Sequence, residues 1–162
     1  GKTDANYPAV DLISDILSQG KSSRLYRNLV KDKQLFSDIK AYNYGSLDTG
    51  MFMIEAKPNT NVSLEEAEAA IWEELENLKS HEVREDELVK VKNKVESVMA
   101  FSEMSLLDKA MNLAYYELLG DAAWLNVEIN KYLSITAEQI KAVANTTFKK
   151  EKSSTLYYLA NA

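Results

Sequence analysis

The chain opens on a helical rhythm. Val10, Ile13, Ile16 and Leu17 recur at three- and four-residue spacing, which predicts a helix over 7–18 closed by Gly20. A second helix is predicted after Ser22-Ser23, with Leu25, Leu29 and Val30 on one side and Arg24, Arg27 and Lys31 on the other. The period then shortens to two. Residues 38–44 alternate, and 51–57 form a short apolar run. Between them Gly45-Ser46-Leu47-Asp48-Thr49-Gly50 is rich in turn formers, so the two runs predict an antiparallel hairpin closed by Pro58-Asn59-Thr60-Asn61.

From Ser63 onward helical spacing dominates. Ser63-Leu64-Glu65-Glu66 is a capping-box pattern, followed by the stripe Leu64, Ala67, Ile71, Leu75 and Leu78. The six glutamates between Glu65 and Glu76 fall mostly on other faces and suit the positive end of the helix dipole. A helix from Glu85 carries the stripe Leu88, Val91, Val95, Val98 and Ser102. Ser105 and Asp108 mark the next start, Gly120 the stop, and Asp121 a further cap. Thr136-Ala137-Glu138-Gln139 is a second capping box, with Ile135 and Ile140 placed as a hydrophobic staple. Ser154 to Ala160 reads as a last strand. The order predicts an α+β fold: a small, mainly antiparallel sheet with helices packed on one face. Three strands are few for so many helices, so a first strand is expected upstream of Gly1.

Composition narrows the chemistry. The chain has 162 residues with 19 Lys+Arg against 25 Asp+Glu, a net charge of −6. That length fits one domain over 1–162. The acidic balance argues against nucleic acid as a partner, and no apolar run approaches the roughly 20 residues of a membrane span. Cysteine is absent and His81 is the only histidine, so thiolate sites and two-histidine metal sites cannot form within one copy. His81-Glu82-Val83-Arg84-Glu85 brushes against H-E-x-x-H, but Glu85 stands where the second histidine belongs. Gly20-Lys21-Ser22 lacks the earlier glycine of a phosphate loop, since position 15 is Asp15. Tyr115-Tyr116 and Tyr157-Tyr158 could stack bases, but without a basic groove they read as packing residues. The stretch from Ser105 to Leu119 is apolar on much of its circumference, as in a helix that is centrally buried or covered by another subunit.

The ordered set Ile16-Leu17-Ser18-Gln19-Gly20-Lys21-Ser22-Ser23-Arg24-Leu25-Tyr26, Leu29-Val30, Gln34-Leu35, Gly50-Met51-Phe52-Met53-Ile54, Glu87-Leu88, Leu119-Gly120-Asp121 and Ile135–Ile140 resembles zinc peptidase family M16, the pitrilysin and insulinase family that includes mitochondrial processing peptidases. The resemblance covers nearly the whole chain. It implies paired α+β domains around a peptide chamber, one bearing H-x-x-E-H and zinc, the other catalytically empty. This chain lacks the zinc motif and is similar to the empty half, beginning just after that half's first strand.

Many such halves carry a substrate-binding Arg and Tyr in a pattern like L-R-x-x-x-G-L-x-Y. Laid on Leu29 to Ser37, the Arg position is Val30, the glycine is Gln34 and the Tyr is Ser37. Val30 and Ser37 are therefore the substrate-facing candidates. The resemblance implies no catalytic or metal-binding residue in this chain, zinc in a homologous partner domain on the same or a second chain, and a peptide substrate held by the chamber wall or by strand addition. Self-association is the expected substitute when the partner is missing. The alternative is a structural scaffold with a peptidase-like fold. For location the resemblance leans to the bacterial periplasm or envelope, with the cytoplasm as the other option.

Overall fold

The computed structural model describes residues 1–159. Helix α1 (Tyr7–Ser18) starts with Pro8 in its first turn, where a missing N–H costs nothing, and ends before Gly20, whose φ of 75° suits glycine. A π-helix (Tyr26–Asp32) follows. Strands β1 (Phe36–Tyr44) and β2 (Met51–Pro58) form the antiparallel hairpin, each slightly longer than expected. Then come α2 (Leu64–Ser80), α3 (Glu85–Ser102), α4 (Leu106–Leu119), a 3₁₀ turn (Ala122–Val127), α5 (Glu128–Leu133) and α6 (Ala137–Thr147).

Alternation places Ile39 and Ala41 of β1 on the α1 side of the hairpin, where both are buried. Helix α1 is the centre of the packing. It touches β1 on one side and α3, α5 and α6 on others. Its Leu12, Ile13, Ile16 and Leu17 join Leu25, Leu29, Phe36, Leu78, Val91 and Ile140 in one core. The hydroxyl of Ser18, at the end of α1, donates to the Ala41 carbonyl at 2.6 Å and pins the helix to the strand.

The caps behave largely as the sequence predicts. Thr136 and Gln139 form both arms of the box, at 3.2 and 2.8 Å, and Ile135 and Ile140 are both buried beside it. Ser63 accepts the Glu66 N–H, the one arm of its expected box made among the described residues, Ser105 accepts the N–H of Asp108, and Asp121 accepts that of Ala123.

Four expectations need correction. The second helix is π rather than α, because its N–H groups reach one residue further back: Lys33 N–H bonds the Asn28 carbonyl. The stripe of α3 is buried at Leu88 and Val91, half-buried at Val95 and exposed at Val98, because the helix outruns the body it packs on. Helix α4 is not centrally buried, since only Tyr116 is buried and Leu106 is 88% exposed. The segment 154–159 forms no strand, and Ala160 lies outside the described residues. Its anchors are side chains: Thr155 and Tyr157 hydroxyls both donate to Glu68 on α2, so the segment is held against a helix rather than by a sheet ladder.

Candidate functional site

The helices cover one face of the hairpin. The register builds the other from four cross-strand pairs: Asp38↔Lys57, Lys40↔Glu55, Tyr42↔Met53 and Tyr44↔Met51. Its base carries charges of opposite sign facing each other. Its tip carries two consecutive tyrosine–methionine pairs. Tyr44 is 59% and Met51 58% exposed, while Tyr42 and Met53 are half-buried. The Tyr42 phenol donates to Glu55 at 2.5 Å, which pushes its pKa up and holds the ring in place. Asp38 and Lys40 are also paired along the strand at 3.3 Å. This is an apolar platform whose border carries two charges of each sign, Asp38 and Lys40 paired with each other and Glu55 held by Tyr42.

The residues singled out by sequence lie at the other end of the hairpin. Val30, in the π-helix, is half-buried and packs against the core. Ser37 sits at the bulge that begins β1, exposed, with its hydroxyl donating to the Lys57 carbonyl at 3.1 Å. One thus packs on the core and the other is exposed at the start of the strand. Between them Gln34 has φ 52°, a left-handed conformation held while the Leu35 N–H bonds the Leu29 carbonyl at 2.9 Å. His81 lies exposed just after α2. Among the described residues no three His, Cys, Asp or Glu side chains converge as a metal site would need.

A second cluster escaped sequence reasoning. Glu128, at the start of α5, is 3% exposed at its side chain and lies 3.3 Å from the Lys2 ammonium and 2.8 Å from that of Lys131. Burial pushes its carboxyl up, but the two lysines outweigh burial and hold it below the ordinary value. Lys2 also lies 4.4 Å from the centre of the Tyr7 ring. Burial, then the nearby Asp11 charge, push the Tyr7 phenol up to about 12. Tyr132 is raised by the same two causes, and donates to Asp11 at 2.9 Å. A groove of about 240 Å³ opens beside this cluster, walled by Tyr116, Trp124 and Val127. Every charge in the cluster has a partner, so it acts as a clamp between the first residues, α1 and α5. No sequence signal couples residue 2 to residue 128.

Three comparisons bear on the whole. The family model described as the peptidase M16 inactive domain matches residues 1–95. The zinc protease PqqE of Helicobacter pylori is 32% identical over 149 residues, covering 92% of this chain and 34% of that protein. A solved protease structure from Helicobacter pylori superposes with TM-score 0.82 at 30% identity, covering 91% of this chain and 36% of that one. An inactive peptidase domain from Bordetella parapertussis gives TM-score 0.80 over 89% of this chain and 76% of its own; at 20% identity that likeness speaks for the fold alone. The chain spans about a third of the length of the curated relatives it matches.

Proposed function

This chain belongs to the peptidase M16 inactive-domain family, and from that premise we propose that it is the non-catalytic half of a zinc metalloendopeptidase, forming a wall that encloses and positions peptide for a zinc-bearing homologous domain. Zinc does not fit this chain's own donors: it has one histidine, no cysteine and no convergent acidic triad among the described residues. On this reading the partner domain would hold the metal, which would supply polarisation of a peptide carbonyl and activation of water. This half contributes confinement and orientation.

The observation that carries the reading is the one-sided helix layer. It leaves the face of Tyr42, Tyr44, Met51 and Met53 uncovered and available to a chamber. The left-handed backbone at Gln34 is what the glycine of the family pattern would adopt, which supports the placement of Val30 and Ser37. The test places a photo-cross-linking residue at Tyr44, and separately at Lys79 on α2, in the complete protein with its catalytic half. Peptide substrate should be captured from position 44 and not from 79. Capture from neither, in an enzyme that still cleaves, would falsify the wall.

One observation favours the scaffold reading. Val30 and Ser37 cannot supply the charge and phenol that the family pattern places there. If the pairing domain also lacks H-x-x-E-H, the scaffold stands and the wall falls.

A further inference from the structure

We infer that the tip of the uncovered hairpin face selects peptide by uncharged apolar side chains at alternate positions, read by the pairs Tyr42–Met53 and Tyr44–Met51. This rests on the wall reading and names what that wall recognises.

Charge comes first. The base of the face is self-neutralised, with Asp38 opposite Lys57, Lys40 opposite Glu55, and Asp38 paired to Lys40. The tip carries none. The nearest carboxylate, Glu55, is already taken by the Tyr42 phenol at 2.5 Å, so a charged side chain laid on the tip would lose water and gain no free counter-ion. The chain's net charge of −6 further disfavours acidic peptides. Spacing comes second. The two tyrosine–methionine pairs stand two residues apart along each strand, roughly 6.8 Å, and same-side residues of an extended peptide repeat at that distance. Shape comes third. Two thioethers re-pack easily around different partners, so the face distinguishes apolar from charged rather than one apolar shape from another. The occupant is a peptide and not a second copy of the chain. Four side chains cannot supply the roughly 1,200 Å² that a stable protein pair buries.

The test uses the 162-residue chain and labelled hexapeptides followed by fluorescence polarisation. Leu or Phe occupies positions 2 and 4 in one set; Ala, Lys or Glu replaces both in the others. The apolar set should bind about tenfold tighter than the Ala set, with Leu and Phe alike and Glu weakest. Met51→Glu with Met53→Glu should abolish that preference and favour the Lys peptide. Circular dichroism checks that the double variant folds. If it does not, amide shifts in the unaltered protein decide the matter: the Leu peptide must move Tyr44, Met51 and Met53. Binding that ignores side-chain type, or shifts confined to other residues, overturns this inference and leaves the wall intact. Failure of cross-linking at position 44 in the complete enzyme strikes the wall itself. Concentration-dependent dimers that dissociate in the double variant would make a second copy the occupant and also overturn the proposal.

Discussion

Helices α1 and α4 are written in similar letters and meet opposite fates. Each is dominated by Leu, Ile, Ala, Met or Val with few charges. In α1, Leu12, Ile13 and Leu17 are wholly buried. In α4, Leu106, Leu107, Met111 and Leu118 face outward, and the helix leans mainly on the 3₁₀ turn behind it. Composition alone does not decide burial. Helix α1 is surrounded because the hairpin returns over it and α3, α5 and α6 close around it, whereas α4 is reached by little else of the chain. Apolar residues at helical spacing state what a helix could bury, and topology decides whether anything comes to cover it.

The sharpest way to break this comparison is truncation at equivalent residues. Leu12→Ala should cost about 2–5 kcal/mol in urea unfolding, the range for emptying a closed core site. Leu118→Ala, at the other extreme, should stay within about 0.5 kcal/mol. Equal costs would mean that α4 is covered in solution.

Next in size is the fork that ties the π-helix region to α3. Arg24 Nε and Nη2 donate to Glu87 at 3.1 and 2.9 Å. Arg24→Ala should cost about 1.5–3 kcal/mol near neutral pH, as for hydrogen bonds to charged groups. Burial pushes the Glu87 carboxyl up, but the Arg24 bonds and charge, with the Arg84 N–H, outweigh it and leave it lowered from 4.5. A lowered carboxylate stabilises the fold above its unfolded value, and that stabilisation is lost as pH falls through the folded value. The unaltered chain should therefore lose stability on acidification below about 4.5, and Glu87→Gln should flatten that limb. An unchanged acid limb in Glu87→Gln would remove the fork from the balance.

Caps sharpen the contrast at a smaller scale. Thr136→Ala removes a complete box from α6, which packs on α1, and should cost about 1 kcal/mol globally. Ser105→Ala removes the cap of α4. Its effect should appear as faster amide exchange across 106–119 with little change in the global midpoint. Smaller still, Gln34→Gly should raise stability by up to about 1 kcal/mol, because glycine relieves the left-handed strain yet loses more chain entropy on folding.

What the sequence made legible was local. The hairpin announced itself through alternation and its turn, and Ser63, Ser105 and Thr136 announced their helices because a cap acts within three residues. What stayed hidden depends on distant partners. Tyr42 and Met53 share a face that alternation predicts, but nothing in those residues says that helices cover the opposite face. Lys2 and Glu128 meet only after the whole chain has folded. The segment 154–159 has a strand's letters, yet a strand also needs a neighbour, and its anchors turned out to be hydroxyls on Glu68. Leu25, Leu29 and Val30 suit an α- and a π-helix equally, so residue pattern could not separate the two.

That last ambiguity gives the joint between α1 and the hairpin some slack. Each i→i+5 bond of the π-helix encloses one residue more than an α-turn would. A one-residue loss between Tyr26 and Asp32 could be taken up by tightening to α geometry. Within β1 the same loss would slip the register and turn Tyr42 and Tyr44 toward the core, away from the methionines of β2. Variation in chain length is thus best tolerated just upstream of the strand whose phase must be preserved.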